Sequence, residues 1–472
     1  MMLFPSKYNH MVRLMTGDGQ EVRVLNNLFL GAADIINEEL YEAFDTAEKI
    51  GIFTAAADLQ ENVCKHFVDK GYLYDDPNAE EKKIIAIAEN YRTRDQIAAG
   101  LEGGQYGFIT SLHCNLACGY CFQQKKADST GFLTRQQVDM GLAAIAKAEE
   151  NVSALLGGKK TLPKISITGG EPLLRNRENL DAVNYLMSRL EALGWPFNIT
   201  TNGTLLKEFV AEHAATQRCR NVQVTLDGPR EVHNQRRYYR GGGASFDKIA
   251  EGTDAALRAG WKITLRVCLD MANVRRLPEL AEYIIGRGWM EYKDFSAYVS
   301  PVTDHGSICG DDTPRDEADL LEVLLNIIQE NPDILKVFDI KHFRGFNYVE
   351  RILVQKNPRF PVVFRCEAVT GMYIFDPMGD IHVCLEAVGD RSLRIGSYEP
   401  AWRIDEENFT RWTKRTAMTV AQCRTCKIRF ICAGGCTMES FNRPDPEVCM
   451  PFLREIETAW NYFAQTRPEL FA

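Results

Sequence analysis

The chain has 472 residues, of which 45% are hydrophobic and 25% charged, and this length suffices for roughly two to four domains with a sizeable buried core. The formal net charge of −9 is not that of a protein with bulk affinity for nucleic acid. No apolar run approaches the roughly 18 residues of a membrane-spanning helix, and the first residues lack the apolar segment and cleavage site of a signal peptide. We therefore expect a cytoplasmic enzyme with neither a nucleic-acid nor a membrane partner.

Residues 1–98 are predicted to form a small domain with the order of elements of a winged helix. Alternating apolar residues on both sides of a Gly-Asp-Gly turn predict a hairpin over residues 10–27. Helical patterns follow over residues 37–50 and 57–70, and a glycine separates the second from a short apolar strand. The basic face with which winged helices read DNA is missing, so DNA binding is not predicted. Cys64, in the second helix, is predicted to be a core residue.

Residues 99–300 alternate between strand-like and helical patterns, with Thr134 and Ser245 as predicted N-caps of two of the helices. Six such βα units predict an α/β fold, in which a parallel sheet carries its helices on the outside. The functional site of such a fold lies at the carboxyl ends of the strands. The six predicted strands cover residues 106–113, 164–170, 197–203, 221–228, 262–270 and 292–302.

The last third of the chain is less regular. Residues 301–360 are predicted to be largely helical and to bridge to a cysteine-rich C-terminal domain with a final helix, residues 361–472. Of the 14 cysteines, three lie within eight residues and seven in the last quarter of the chain. Disulfides are rare in the cytoplasm, so this clustering favours metal binding or redox chemistry.

Three cysteines with C-x3-C-x2-C spacing, Cys114, Cys118 and Cys121, directly follow the first predicted strand. A structural zinc site is one interpretation, but zinc takes four ligands and no fourth is adjacent. A 4Fe–4S cluster also binds soft thiolates. Three cysteines would leave one of its irons open to a substrate or cofactor.

With Tyr120 as the aromatic residue, this segment resembles the C-x3-C-x-aromatic-C motif of the radical S-adenosylmethionine (SAM) superfamily. The resemblance implies a partial (β/α)6 TIM-like barrel and makes the three cysteines the predicted catalytic ligands. Their open iron would chelate the amine and carboxylate of SAM. One electron, from a reductant such as flavodoxin or ferredoxin, would then cleave SAM to a 5′-deoxyadenosyl radical that abstracts hydrogen.

Further motifs at the strand ends resemble the SAM-contacting motifs of the same superfamily. "TGGEP" follows the second strand, and its acidic side chain is suited to the SAM amine. "TTNG" follows the third strand, and "VTLDGPREVHNQRR" follows the fourth, where the resemblance makes a threonine a candidate ribose contact and an arginine a candidate carboxylate contact. Alternatively, the paired glycines form an ordinary turn and the arginines form surface ion pairs. The predicted SAM-contacting residues are Tyr120, Gly169, Gly170, Glu171, Thr201, Asn202, Thr225, Arg237 and Arg266.

The C-terminal cysteines follow the order C-x12-G-x4-C, then C-x2-C-x5-C-x3-C, then one more cysteine after twelve residues. Each short spacing could bind zinc by itself. The full order resembles the SPASM domain, an extension of some radical SAM enzymes, and the combined resemblance covers residues 104–450. It implies two auxiliary 4Fe–4S clusters, and thus three clusters in all. Cluster II would take Cys423, Cys426, Cys432 and Cys449, whereas cluster I would take Cys366, Cys384 and Cys436, with either Cys309 or an open iron at the fourth position.

Enzymes of this type act mostly on ribosomally made peptides, which they crosslink through thioether or carbon–carbon bonds or otherwise modify. Residues 1–98 resemble, in element order, the leader-recognition domains that add a peptide strand to their sheet, although a structural cap is the alternative. Anaerobic sulfatase maturases, which oxidise serine or cysteine to formylglycine, carry an acidic residue directly after the second SPASM cysteine. Leu385 stands there, and Glu386 follows. The prediction is a maturase of a precursor peptide with a leader; a sulfatase maturase, a non-catalytic electron carrier and a zinc-stabilised binding protein are the alternatives.

Overall fold

The structure, a computed structural model, describes most of the chain. Cys309 and the predicted domain boundaries at residues 98 and 360 lie outside its described part. The described residues are 2–54, 61–89, 103–123, 131–303, 317–358, 361–369, 372–443, 449–450 and 452–472.

Strands and helices are named here in chain order. The strands of the described residues are β1 Phe4–Pro5, β2 Asn9–Met15, β3 Glu21–Asn27, β4 Ala32–Ile36, β5 Leu73–Tyr74, β6 Gln105–Ile109, β7 Lys164–Thr168, β8 Phe197–Thr200, β9 Cys219–Thr225, β10 Ile263–Leu269, β11 Phe295–Pro301, β12 Phe338–Asp339, β13 Met372–Phe375, β14 Asp380–His382, β15 Gly396–Ser397 and β16 Arg403–Ile404. The helices are α1 Glu38–Ile50, α2 Glu61–Asp69, α3 79–89, α4 Arg135–Leu155, α5 Arg177–Leu193, α6 Leu206–Glu212, α7 Arg230–Arg236, α8 Phe246–Arg258, α9 Leu277–Gly286, α10 Glu317–Glu330, α11 Ile334–Val337, α12 Arg344–Leu353, α13 Glu406–Thr413, α14 Arg429–Cys432, α15 Thr437–Asn442 and α16 Phe452–Thr466. None of these described helices is long and apolar enough to cross a lipid bilayer.

The largest sheet has eleven strands in the order β12-β11-β10-β9-β8-β7-β6-β13-β14-β15-β16. Strands β6 to β12 run parallel to their neighbours, and β13 joins the free edge of β6, also in parallel. The hairpin partners β14 to β16 continue the sheet in antiparallel pairs. The predicted α/β class and the six parallel strands β6 to β11 are confirmed, and the sheet extends beyond them on both sides.

The N-terminal segment forms a three-stranded antiparallel sheet in the order β2-β3-β4. The predicted hairpin is β2–β3, with Met15 opposite Glu21 beside the turn. The third strand, β4, was not predicted, because its five residues "AADII" show no alternation of apolar and polar side chains. The predicted strand after the second helix exists as β5, but it pairs with β1 and not with the hairpin.

The N-terminal segment has a core of its own and also packs on the C-terminal region. Its own core contains Phe44, Phe67 and Tyr72, together with Cys64 as predicted. On the other side of its sheet, the ring of Phe29 lies 4.7 Å, centroid to centroid, from the ring of Phe430. The two regions are therefore joined by a common apolar core.

Both predicted N-caps stand at the N-cap position of their helix, but only one of them makes a capping hydrogen bond. Thr134 and Gln137 form a complete capping box at the start of α4. Ser245 occupies the N-cap position of α8, but its side chain makes no cap hydrogen bond. Instead, the side-chain oxygen of Asn234 accepts from the backbone N–H groups of Ser245 and Phe246, both at 3.0 Å. The capping hydrogen bond was mispredicted because its acceptor, Asn234, belongs to the preceding helix α7 and not to α8.

Candidate functional site

The cysteine loop leaves β6 and turns over the carboxyl end of the parallel sheet. It is fixed to the loop after β7 by two backbone hydrogen bonds, from Gly170 N to Ser111 O and from Glu171 N to His113 O, both 2.8 Å. The folded loop lines a small cavity of about 30 Å³. The residues that line this cavity are Leu112, Cys114, Leu116, Cys118, Cys121, Gln123, Gly170 and Arg240.

The three predicted cluster ligands therefore face one cavity. Burial raises the pKa of the Cys114 thiol to about 12 and that of the Cys118 thiol to about 11. Such thiols become thiolates only when a cation compensates the charge, and binding the metal releases their protons. Cys114 Sγ also accepts from Leu116 N at 3.4 Å and lies 3.7 Å from Asn202 Nδ2. Three soft donors around one cavity fit a 4Fe–4S cluster with one open iron.

The paired glycines of "TGGEP" lie against the cysteine loop. A Cβ on Gly169 would stand 2.4 Å from Ser111 O, and one on Gly170 would stand 2.2 Å from His113 O. The φ of Gly169 is +154°. Glycine is therefore required here by the chain's own backbone, in addition to any approach of a ligand.

Glu171 is completely buried and accepts three hydrogen bonds from the protein. Its carboxylate receives Leu173 N at 2.8 Å, and Thr201 Oγ1 and Asn202 N at 2.6 Å each. Burial raises its pKa, while these hydrogen bonds act in the opposite direction. The carboxylate thus ties the loop after β8 to the loop after β7. Its predicted contact with the SAM amine stays a prediction.

Asn202 links the loop after β8 directly to the cysteine loop. Its Nδ2 donates to Asn115 Oδ1 at 2.7 Å, and its Oδ1 accepts from Thr204 N and Thr204 Oγ1. Asn115 in turn donates to Thr204 Oγ1 at 2.9 Å. Sequence reasoning missed Asn115 and Thr204, although both flank motif residues.

Tyr120 and Arg237 are brought together at the end of β9. The Tyr120 hydroxyl donates to Asp227 Oδ2 and accepts from Arg237 Nη1, both at 2.5 Å. Arg237 is 8% exposed, and its Nε has no hydrogen-bond partner among the described residues. Asp227, fully buried, also accepts from Cys268 N at 2.9 Å. This arrangement depends on Asp227, which lies 107 residues from Tyr120 and was not predicted to be a site residue.

Thr225 and Arg266 lie opposite each other on the paired strands β9 and β10. Arg266 Nη2 lies 3.4 Å from Ser300 Oγ, and its Nε has no hydrogen-bond partner among the described residues. Two arginines near the cysteine loop, Arg237 and Arg266, thus each keep a buried N–H available for an anion. Arg237 is buried, so it is not a surface residue of the kind that the ion-pair alternative requires.

The C-terminal cysteines fall into two groups. Burial and then Glu386 raise the pKa of the Cys384 thiol to about 12, and Cys436 and Cys366 lie near enough to add to the rise. Burial raises the pKa of Cys423 to about 12 as well, and there the neighbouring thiols are those of the second group. That second group consists of Cys423, Cys426, Cys432 and Cys449. Thiolates are the donors that iron–sulfur sites take, and the assignment of these cysteines to clusters I and II stays a prediction.

A family model described as the radical SAM superfamily matches residues 108–284. This match covers the cysteine loop, the glycine pair and the Tyr120–Asp227–Arg237 arrangement. These residues form a radical SAM domain. The match ends before the C-terminal cysteines and does not bear on the auxiliary sites.

Curated relatives of two kinds resemble the chain. A GTP 3′,8-cyclase of Rhizobium etli is 33% identical over 181 residues, but the match spans only 37% of this chain and 46% of the cyclase. A cysteine-type anaerobic sulfatase-maturating enzyme of Clostridium perfringens is 23% identical over 369 residues, which span 76% of this chain and 93% of that enzyme.

Two kinds of solved structure share the fold. The structure of anSMEcpe with bound AdoMet has a TM-score of 0.55 at 18% identity and covers 78% of this chain and 94% of its own. The crystal structure of Streptococcus suis SuiB bound to its precursor peptide SuiA has a TM-score of 0.53 at 16% identity. The matched region covers 94% of this chain and 98% of the SuiB chain. The radical SAM domain thus carries flanking regions of the kind found in both enzymes.

Proposed function

We propose that this radical SAM enzyme modifies a ribosomally made precursor peptide that it recognises through a leader, forming a crosslink or another side-chain or backbone modification. The observation that supports this most is the N-terminal sheet. The fold of SuiB, which was solved with a precursor peptide, extends over 94% of this chain, whereas that of anSMEcpe extends over 78%. Residues 1–98 are the proposed leader-binding domain.

The outer edge of β4 is the proposed leader site. Among the described residues, no backbone hydrogen bond joins this edge to another segment. A cavity of about 540 Å³ lies beside it, between Ala32–Ile35 on one side and α12 with Trp460 on the other. An unpaired strand edge beside a groove accepts an extended peptide as an additional strand.

The opposite edge of the sheet is already covered. Beyond β2, Gly17 N donates to Ala464 O of α16 at 3.0 Å, and Gln465 Nε2 donates to Met15 O at 2.5 Å. A peptide strand therefore fits the β4 edge better than the hairpin strand β2.

The proposed cofactors are SAM and three 4Fe–4S clusters. The three loop cysteines would hold a cluster that, together with SAM, would supply a one-electron cleavage producing a hydrogen-abstracting radical. The chain's own residues bind and orient: Arg237 and Arg266 offer N–H donors to the SAM carboxylate, Thr225 lies beside them, and Glu171 holds the loop that carries Asn202. A reductant such as flavodoxin or ferredoxin is the proposed electron donor, and the cytoplasm is the proposed location.

An anaerobic sulfatase maturase is the second candidate. The Clostridium perfringens relative aligns over 93% of its length, which favours this candidate. In this chain, Leu385 follows the second SPASM-like cysteine, and the acidic Glu386 comes one position later. Glu386 stands one position later than the acidic residue of sulfatase maturases. This difference and the N-terminal sheet favour the peptide maturase.

One assay separates the two candidates. The anaerobically reconstituted enzyme is given SAM, dithionite and either a leader-containing peptide encoded beside its gene or a cysteine- or serine-containing sulfatase peptide. Mass spectrometry should show hydrogen loss from the precursor peptide and no formylglycine in the sulfatase peptide. The Cys114→Ala, Cys118→Ala, Cys121→Ala variant is the control and should form no 5′-deoxyadenosine. Formylglycine in the sulfatase peptide alone would establish the second candidate.

A further inference from the structure

Arg365 directly precedes Cys366, at a point where several cysteine-bearing segments meet. Val362 N donates to Phe430 O at 2.8 Å, and Phe430 lies between Cys426 and Cys432. Immediately afterwards, Val363 O accepts from Ala417 N at 3.0 Å. The backbone that carries Arg365 is thus held between the two groups of C-terminal thiols.

The guanidinium of Arg365 packs beside an aromatic ring and is shielded on that side. Its Cζ lies 5.5 Å from the centroid of the Phe452 ring. Its Nη1 is buried and has no hydrogen-bond acceptor among the described residues. A shielded charged donor without an acceptor is unfavourable, which indicates that an anion belongs beside it.

Three cysteines and two carboxylates, those of Glu317 and Glu455, act on this guanidinium. Burial opposes the charged form of Arg365, whereas Cys432, Cys436, Glu317 and Cys366 favour it and leave its pKa above the ordinary value. The thiols belong to both groups, since Cys432 is assigned to cluster II and the other two to cluster I.

Other arginines of this region already have partners. Arg429 stacks on the Phe430 ring, with its Cζ 4.5 Å from the centroid, and its Nη2 lies 3.9 Å from Met418 Sδ. Arg415 Nε donates to Gly434 O at 2.7 Å. Arg365 shares with Arg429 a buried N–H without an acceptor among the described residues, but thiols of both cysteine groups act on Arg365.

We propose that Arg365 tunes the reduction potential of the auxiliary iron–sulfur sites by providing a positive charge and an N–H donor to their thiolates. This inference rests on the proposed function, because that function requires the auxiliary clusters. Each reduction adds one negative charge to a cluster. A nearby cation and an N–H···S hydrogen bond stabilise the reduced state and raise the potential.

The test measures potentials and not turnover. In the Cys114→Ala, Cys118→Ala, Cys121→Ala background only the auxiliary sites can hold clusters, so an anaerobic dithionite titration followed by electron paramagnetic resonance reports on them alone. Arg365→Gln should lower the equilibrium constant for one-electron reduction at least tenfold, which is about 59 mV towards negative potential. Arg365→Lys should shift less, because it keeps the charge.

Arg351→Gln is the matched control. It removes the same charge from α12, where Arg351 Nε donates to Asn357 O at 3.3 Å and no cysteine is involved. Equal potentials for Arg365→Gln and Arg351→Gln would overturn the inference. If the Arg365→Gln variant loses its iron, the Arg365→Lys variant becomes the test. Iron retained by Arg365→Lys supports the role of the charge, and iron lost from Arg365→Lys overturns it. A parent protein with only about four irons per chain would instead overturn the auxiliary clusters of the proposed function.

Discussion

At the scale of single residues, the glycine pair after β7 and the buried carboxylate beside it explain how the cysteine loop keeps its shape. Gly169 and Gly170 let two loops approach to backbone hydrogen-bonding distance, and Glu171 ties in a third loop. The motif that resembles a SAM-binding signature therefore also has a structural task that requires no ligand. Close approach of the two loops and close approach of a ligand both depend on the missing Cβ of glycine.

Gly170→Ala should damage the loop. The added Cβ would meet His113 O at 2.2 Å and Leu112 O at 2.5 Å, and backbone atoms cannot move aside cheaply. We expect a loss of about 1–3 kcal/mol in the free energy of unfolding and iron lost from the loop, measured by anaerobic unfolding and iron analysis. Gly119→Ala, in the same loop but with no atom within 4 Å of the new Cβ, is the control. Equal iron content in the two variants would contradict this account.

At the scale of elements, β4 and its neighbours decide what the N-terminal sheet can bind. Ile35, on β4, is 48% exposed and lines the large cavity beside the strand. An exposed isoleucine on an unpaired edge is a liability unless another strand covers it. The element therefore has the properties expected of a peptide-binding edge.

Ile35→Glu should weaken leader binding. A carboxylate in the groove must be desolvated when the peptide strand adds to β4. We expect the Kd for the leader peptide to rise at least tenfold, or about 1.4 kcal/mol, with SAM cleavage in the absence of peptide unchanged. Fluorescence anisotropy with a labelled leader measures this. Ile50→Glu, at the exposed end of α1 and 60% exposed, should leave the Kd as it is. A similar Kd for both variants would remove β4 as the leader site.

The packing of α12 against α16 contains a titratable group. Glu455 of α16 is fully buried and accepts from Gly345 N of α12 at 2.8 Å. Burial, followed by the neighbouring Glu317, raises its pKa to about 8. Because the folded state holds this proton more tightly than the unfolded chain does, the stability it provides is lost as the pH rises from about 4.5 towards 8.

Glu455→Gln should therefore stabilise the protein increasingly as the pH rises. The amide keeps an acceptor for Gly345 N but carries no charge. Between pH 6 and pH 9, the difference in unfolding free energy between variant and parent should grow by roughly 3 kcal/mol, measured by anaerobic urea unfolding. A difference that stays constant over this range would show that Glu455 does not titrate there.

At the scale of the whole molecule, the N-terminal and C-terminal regions support each other. Phe430, between two cluster II cysteines, packs against Tyr8 and Phe29 at centroid distances of 5.4 and 4.7 Å. Lys427, from the same segment, donates to Asn9 O at 3.1 Å and forms an ion pair with Glu48. The proposed leader domain thus contacts the loop of the proposed cluster II.

Deletion of residues 1–98 should consequently do more than abolish leader binding. It would expose the Phe430 ring and leave Lys427 without its partners on the N-terminal sheet. We expect the truncated protein to lose about four irons, with cluster II as the missing one, and to unfold at lower denaturant concentration. Iron analysis and electron paramagnetic resonance test this. Full iron content after truncation would mean that the N-terminal region is an independent domain.

The sequence by itself determined the features that depend on neighbouring residues. The α/β class follows from periods of 2 and 3.6 that repeat along the chain, and the Thr134 cap follows from a signature within four residues. The cysteine loop and its place after a strand are local as well. Cys64 is a core residue, as its position on an amphipathic helix predicted.

Only the tertiary structure decided the features that join distant residues. Strand β13 pairs with β6, more than 260 residues away along the chain. Strand β4 is held in its sheet by pairing with β3, since its own residues show no strand pattern. Tyr120 connects Asp227 with Arg237, Asn234 accepts the hydrogen bonds at the start of α8, and Arg365 comes near thiols of both cysteine groups. No local pattern encodes these contacts. The hydrogen bonds among them form because a buried polar group takes a partner wherever the folded chain supplies one.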